Sequence, residues 1–315
     1  MCKNVVLVPM KKTVDSAMQK TCRPALFGRV WQASRRALSL EYSPPKQFAC
    51  SQWQTGPKPS TFYLIYRWLL FITVVIVGVI SFICQYLPKN YHGPEIELNY
   101  FKWFIYLTNW GYAMIIIQTG LALAVVHKYR NETKCNLSLD EEEHPMSSSK
   151  RTRTPLVCRA YWLTQNIATD LAFVITLVYW SLVYDPKMHT PNPVNLLVHG
   201  SNSLVMICEL CVTAHPVRMA HALYGAGMGL TYGMFSYLYW AAGGTDRIGL
   251  PAIYPALDWN KPGAAIVFVS VCAVVLIFAH AFSTAVAAMR LCFNIRSFAT
   301  KIVINTCKHI NLSDV

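Results

Sequence analysis

Six long apolar runs follow one another along this chain, and polar or aromatic residues bound each of them. Each run is close to the roughly 20 residues that an α-helix needs to cross a bilayer. The pattern predicts an all-α fold, a polytopic membrane helix bundle with six transmembrane helices. The predicted spans are residues 62–86, 102–126, 158–183, 194–214, 217–242 and 263–289.

The remaining sequence lies at the two ends of the chain and in the connecting loops. Residues 1–61 are polar and basic, and we expect a loosely ordered cytosolic arm that is attracted to anionic lipid. The predicted domains are therefore this arm, a transmembrane domain at 62–289 and a cytosolic tail at 290–315. Within the fifth span, Gly225 and Gly229 belong to a small-residue ridge, continued by Gly233, that is typical of close helix packing.

Charge predicts the orientation of the bundle. The segments on one side hold 21 Lys and Arg residues, against 4 on the other side. Because basic residues accumulate on the cytosolic side, both termini are predicted to be cytosolic. This topology accounts for the formal net charge of +13, so we predict no nucleic-acid partner. The segments poor in basic residues are the loops at 87–101, 184–193 and 243–262.

Composition restricts the class of protein. Hydrophobic residues make up 54% of the chain and charged residues only 14%, with a mean hydropathy of +0.32. These values exclude an ordinary soluble domain. We expect a multi-pass protein of the plasma membrane, with the endoplasmic reticulum as the alternative. The lipid bilayer and cytosolic-side proteins are the expected partners, and no cofactor or metal site is predicted.

The fourth span carries costly polar residues on a single stripe. Asn195, His199, Asn202 and Glu209 are separated by steps of four, three and seven residues, which places them on one helical face. Such groups are expensive in hydrocarbon and are expected to face other helices or a cavity. The stripe is therefore the predicted centre of the protein's function.

The outer part of this stripe offers a candidate catalytic pair. Thr108 and His199 both lie about 8–9 Å below the outer end of their spans, at a rise of about 1.5 Å per residue. A threonine hydroxyl beside an imidazole is the minimum for an activated nucleophile, with Asn202 and Asp258 as supporting groups. The alternative is that His199 bonds Asn195 or a backbone carbonyl, and that Thr108 bonds its own helix.

Other polar groups form a second layer nearer the cytosol. There, Glu209 and His280 are candidates for an ion pair or a shared proton, and Asp170 lies near the midplane. A buried carboxylate at that depth is expected to stay protonated unless it is paired. This layer is either a structural polar network or an ion or proton pathway. We favour the network because the six spans contain no internal repeat typical of transporters.

Five short blocks carry a family resemblance that covers residues 48 to about 290. Together they resemble the rolling stone family of invertebrate membrane proteins. The founding member of that family is associated with myoblast fusion, so the resemblance implies a role in membrane or cell fusion. The blocks are SQWQ (Ser51–Gln54), YLIYRW (Tyr63–Trp68), YLTNWGY (Tyr106–Tyr112), VHGSNS (Val198–Ser203) and IYPALDW (Ile253–Trp259).

A weaker resemblance leads to the androgen-induced and androgen-dependent transmembrane hydrolases. These proteins have six predicted spans and cleave fatty acid esters of hydroxy fatty acids with a threonine and a histidine. The resemblance implies that Thr108 is a nucleophile, His199 a base and a lipid ester the substrate. The lysine before the family's threonine does not align here, and VHGSNS is not the hydrolase sequence around its histidine. The outer-loop match consists of Tyr254, Pro255, Leu257 and Asp258.

Overall fold

The computed structural model describes residues 32–54, 56, 58–84, 100–137, 153–184 and 193–312. The chain divides into two compact units, Met1–Ser39 and Leu40–Val315. In the first unit, residues 32–38 form a helix. All further description concerns the second unit, whose described residues contain helices and no β-sheet.

Six long helices, one for each predicted span, make up the described part of the second unit. A π-helical turn at Tyr179–Val183 continues the third helix, and another at Leu197–Ser201 lies within the fourth. The helices are α1 Thr61–Ile83, α2 Leu107–Leu137, α3 Leu156–Val178, α4 Pro193–Val212, α5 Ala222–Ala241 and α6 Pro262–Leu312.

Five of these helices, all except α5, are long and apolar enough to cross a membrane. α5 has 20 residues, but glycine, tyrosine, serine and threonine occupy many of its positions and lower its hydropathy. The all-α fold is confirmed, and five candidate spans support an integral membrane protein. The sixth span and the orientation in the membrane stay predictions.

Several boundaries differ from those expected. α2 begins at Leu107 rather than at residue 102, because Tyr100–Ile105 forms a separate 3-10 turn. α6 continues without a break to Leu312, so most of the predicted tail at 290–315 is helical. The apolar run of α6 ends near residue 289. The helix continues beyond it because no proline or glycine follows in the sequence to interrupt it.

α3 is the central helix of the bundle. The apolar stretch of α3 is 61% buried within the bundle, against 22% for that of α6 and 28% for that of α1. Proline marks several helix starts, since Pro155 precedes α3, and Pro193 and Pro262 open α4 and α6. Proline lacks a backbone N–H, but no helical hydrogen bond is lost in the first turn, because the N–H groups there have no partner within the helix. Ser60 caps α1 by accepting a hydrogen bond from the Tyr63 N–H at 3.1 Å.

Residues 40–54 pack against the helices as part of the second unit, whereas their polar and basic composition predicted a loose arm ending at residue 61. Phe48 is buried against Trp162, with ring centroids 5.5 Å apart. The Tyr42 N–H donates to Thr154 Oγ1 at 2.8 Å, and Glu41 forms an ion pair with Arg159 at the start of α3. Two aromatic rings and these polar contacts are enough to anchor a short segment that has no apolar run of its own.

The helix bundle has a turn end and a loop end. The turn end is the end at residues 213–218, where α4 leads to α5. The loop end is the opposite end, at residues 243–261, where α5 leads to α6.

Candidate functional site

A buried carboxylate on α4 is bonded by side chains from two other helices. Glu209 Oε2 lies 2.5 Å from Arg67 Nη1 of α1, and both side chains are fully buried. Gln118 of α2 donates to the same oxygen at 2.7 Å. The Tyr66 hydroxyl donates to the other oxygen, Oε1, at 2.8 Å. The Glu209 charge is therefore met by one cation and two neutral donors.

Tyrosines surround the other side of the Arg67 guanidinium. Its Nη2 donates to the hydroxyls of Tyr63 and Tyr161, the latter at 3.0 Å. The guanidinium carbon also lies 4.8 Å from the Tyr63 ring centroid and 5.8 Å from that of Tyr161. Hydrogen bonds and ring contacts of this kind offset the cost of removing two charges from water. With Glu209 and Gln118, the Arg67 network joins α1, α2, α3 and α4.

A second buried pair joins α3 to α6. His280 Nδ1 lies 2.9 Å from Asp170 Oδ1 and 3.1 Å from Oδ2. The other ring nitrogen of His280, Nε2, lies 3.0 Å from the backbone oxygen of Arg218 in the turn. Asp170 and His280 are thus partners. The expected pair of Glu209 with His280 does not form, because Arg67 at the start of α1 reaches Glu209 instead.

Close packing of α5 against α3 depends on one glycine. A Cβ atom built on Gly225 would lie 3.0 Å from the Cβ of Asp170 and would overlap its carboxylate. At Gly229 and Gly233 a Cβ atom would meet no described residue within 4 Å. The predicted glycine ridge therefore packs closely only at Gly225, where it brings α5 against the Asp170–His280 pair.

The C-terminal end of α4 is capped by a distant arginine. Arg290 Nη1 of α6 donates to Leu210 O at 2.6 Å and to Thr213 Oγ1 at 2.9 Å, while its Nη2 donates to His215 O. The last carbonyls of a helix have no partner within the helix and carry a partial negative charge. The buried Arg290 guanidinium donates a hydrogen bond to one such carbonyl, that of Leu210, and places a positive charge beside the partial negative charge.

The SQWQ block caps the same helix end from the other side. The Gln52 N–H donates to Val212 O at 3.0 Å, and Gln52 Nε2 donates to Cys211 O at 2.5 Å. The Trp53 indole N–H also donates to Cys211 O, at 2.8 Å. This block of the family resemblance is therefore a structural clamp on α4, which explains the unusual grouping of serine, glutamine and tryptophan.

Aromatic, amide and hydroxyl side chains cluster around the two π-helical turns nearer the loop end. The rings of Tyr179 and His199 stack with centroids 3.5 Å apart and planes 3° from parallel. The Tyr179 hydroxyl donates to Asn195 Oδ1 at 2.7 Å. The Thr176 hydroxyl lies 2.8 Å from His199 O and 2.9 Å from Asn202 Oδ1. Turns of π-helix are frequent at functional sites, so this π-turn cluster is a candidate for one.

Thr108 belongs to a different cluster, at the first turn of α2. It is buried beside the hydroxyl of Tyr254 from the 243–261 loop, and burial raises the pKa of that tyrosine. The Tyr106 and Tyr254 rings contact each other edge to face at 5.7 Å. Among the described residues, no hydrogen bond joins Thr108 to His199. The two proposed catalytic residues therefore occupy separate clusters.

The supporting residues of the proposed catalytic pair also have other partners. The Asn202 side-chain oxygen accepts hydrogen bonds from the Thr176 hydroxyl and, at 2.8 Å, from the backbone N–H of Ser203. The Asp258 carboxylate accepts hydrogen bonds from the side chain and the backbone N–H of Asn260, at 2.9 and 3.0 Å. These bonds lower the pKa of the Asp258 carboxyl. Its bonded partner in the 243–261 loop is thus Asn260.

Sequence reasoning missed Arg67 and Arg290 as structural residues and counted them only as positive charge. The signal for Arg67 was present, because Tyr63 and Arg67 are separated by one helical turn and share a face. A buried arginine also needs a carboxylate, and Glu209 lay at a matching depth. Arg290 bonds backbone carbonyls, which no residue pattern marks.

These features define a class of protein, namely multi-pass helical membrane proteins with a charged, hydrogen-bonded core. The chain belongs to the rolling stone family, since the family model described as "Protein rolling stone" matches residues 27–306. Protein rolling stone of Drosophila melanogaster is 31% identical over 242 residues, which cover 75% of this chain and 80% of the relative. No solved structure matches the chain.

Proposed function

We propose that this chain is a six-span plasma-membrane protein, with both termini in the cytosol, that acts in the fusion of cells. The proposal rests on membership of the rolling stone family, whose founding member is associated with myoblast fusion. Family similarity extends over residues 27–306 and therefore over all six helices. α5 has the length for a sixth span, since 20 residues at about 1.5 Å each reach about 30 Å.

The Arg67 network supports such a role. Helices in a bilayer gain little from burying apolar surface against one another, so packing and polar contacts hold them together. A protein acting where two bilayers bend needs a bundle that keeps its arrangement under strain. The buried contacts of Arg67 and Glu209 join four helices and supply that cohesion.

A content-mixing assay tests the proposal. Two populations of muscle precursor cells, each carrying half of a split reporter, are compared with and without the protein. We expect its removal to reduce mixing several-fold and the wild-type chain to restore it. At matched surface amounts, Arg67→Met should restore less than Lys128→Met, which alters an exposed ion pair. Mixing that is unchanged after removal would refute the proposal.

Epitope tags test the topology separately. Tags placed at either terminus should be reached by antibodies only after the cells are permeabilised, whereas a tag in the 243–261 loop should be reached on intact cells. Staining of a terminal tag on intact cells would contradict the proposed orientation, and termini on opposite sides of the membrane would contradict the six-span count.

A lipid-ester hydrolase is the second candidate function. One observation favours it, namely that Thr108 contacts Tyr254, so the two sequence elements of the hydrolase resemblance meet. Fluorophosphonate labelling and lipid-ester turnover should then be lost in Thr108→Ala, and His199→Ala tests whether the histidine of the other cluster also takes part. The matched control is Thr231→Ala, which alters an exposed threonine on α5. An unlabelled wild-type protein without turnover would eliminate this candidate.

A further inference from the structure

A small cavity lined by several polar residues lies near the turn end of the bundle, between α3 and α6. It has room for about one water molecule. Trp162, Leu210 and Val217 contribute apolar atoms to its wall, and the rest of the lining is polar. The polar lining residues that matter here are Gln165, Asn166, Asp170, His215, His280 and Ser283.

Two buried side chains of this cavity have polar atoms that lack hydrogen-bond partners among the described residues. Gln165 is 3% exposed, and neither its Nε2 nor its Oε1 has one. His215 is 2% exposed, and its Nδ1 likewise has none. Burial, with Arg290 nearby, holds the pKa of His215 well below its usual value, so the ring is neutral. Buried polar atoms are normally bonded, and ordered water is their usual partner when protein groups are not.

The bonds of His280 fix the number of protons on the neighbouring pair. The Arg218 carbonyl can only accept, so the Nε2 atom of His280, 3.0 Å away, carries a proton. The contact between Nδ1 and the Asp170 carboxylate needs one further proton, on either partner. The pair is therefore uncharged overall, as imidazolium with carboxylate or as imidazole with carboxylic acid.

We propose that the cavity is a proton-binding site, in which one water held by Gln165 and His215 carries protons to and from the Asp170–His280 pair. Uptake starts from the imidazolium–carboxylate form: a hydronium ion gives a proton to the carboxylate and remains as water, while the imidazolium keeps its own proton. The pair changes from uncharged to a single positive charge. Release is the reverse transfer to the same water.

The surroundings favour a proton over a metal cation. The charged and titratable groups around the cavity, apart from the pair itself, are basic: His215 lines it, His221 contacts the lining residue Asn166, and Arg290 of α6 bonds the His215 carbonyl. α4 and α5 contribute Leu210 and Gly225, which carry no charge. A metal ion would meet this basic shell with one carboxylate that is already paired. The site is independent of the proposed role in fusion.

Infrared difference spectroscopy tests the site on the full-length protein in lipid discs. Spectra are compared between pH about 8 and about 5, the range in which imidazole and coupled groups titrate. We expect acidification to add the carbonyl stretch of a buried carboxylic acid in the wild type. Asp170→Asn should lose this band, and Glu132→Gln, an exposed carboxylate on α2, should keep it.

Gln165→Leu tests the water separately and does not depend on the stability of Asp170→Asn. Replacing the amide with an apolar group should exclude the water, lower the band several-fold and slow its shift on transfer to heavy water. An identical band in the wild type and Asp170→Asn would overturn the assignment to Asp170. An unchanged band and exchange rate in Gln165→Leu would overturn the role of the water.

Discussion

The two ends of α4 hold polar side chains of different kinds. At the turn end, Glu209 carries a full charge and is met by Arg67, Tyr66 and Gln118. Nearer the loop end, His199 is stacked on Tyr179 within a cluster of amide and hydroxyl groups. A buried charge demands a complete set of partners, whereas neutral groups can exchange partners at smaller cost. The turn end therefore holds the helices together, whereas the side chains of the π-turn cluster can exchange hydrogen-bond partners more easily.

The largest effect is expected from Arg67→Met. It leaves the Glu209 carboxylate buried without its cation, and breaking a buried pair costs about 3–5 kcal/mol. Reversible unfolding in lipid–detergent micelles measures the loss. Lys128→Met, in an exposed pair with 45% and 52% exposed side chains, should change stability by less than about 1 kcal/mol. Equal effects of the two substitutions would remove the distinction between the buried network and the surface.

Gly225→Ala comes next in expected effect. The added methyl group overlaps the Asp170 carboxylate, and overpacking of this kind costs about 1–3 kcal/mol. Gly229→Ala and Gly233→Ala meet open space, so they should be neutral or stabilising by about 0.5–1 kcal/mol. Thermal unfolding of the three variants checks the order. A Gly225→Ala protein as stable as the two controls would show that α5 does not pack closely on α3.

Gln52→Ala tests the clamp at the turn end. It removes the side-chain donor to Cys211 O, and we expect a loss of about 1 kcal/mol because the Trp53 indole still bonds that oxygen. The double variant with Trp53→Phe removes both donors and should lose more than the two single losses together. Hydrogen exchange at the last turn of α4 provides the local readout. Unchanged exchange in the double variant would contradict a clamp.

The smallest effect is expected at the π-turn cluster. Tyr179→Phe removes the hydroxyl that bonds Asn195 but keeps the ring on His199, so the loss should be about 0.5–1 kcal/mol. Tyr237→Phe, on a half-exposed tyrosine of α5, should stay within about 0.5 kcal/mol of the wild type. A loss in Tyr179→Phe as large as that in Arg67→Met would mean that the two ends of α4 do not differ.

Hydrophobic patterning predicted the helices well, and five of the six runs are confirmed as candidate spans. The period of an amphipathic stripe also located Asn202 and Glu209 on buried faces. Pairing was the part that failed, since depth along a helix axis says nothing about which neighbours face each other. Glu209 meets Arg67 rather than His280 because α1, not α6, lies against that face of α4.

The clamp and the π-turns were beyond sequence reasoning for a different reason. Both depend on backbone groups, either the carbonyls at the end of α4 or the extra residue of a π-turn. Side-chain patterns do not report backbone geometry. The SQWQ block was recognisable as a family feature, but its contacts with Cys211 and Val212 span 159 and 161 positions of sequence.

A double-mutant cycle on Arg67 and Glu209 tests the central claim most directly. The free energy of unfolding is measured for the wild type, Arg67→Met, Glu209→Met and the double variant in the same lipid–detergent mixture. Because each single substitution leaves a buried charge alone and the double leaves none, we predict a coupling energy of about 2–3 kcal/mol. Losses that simply add in the double variant would contradict the claim that this buried pair holds the bundle together.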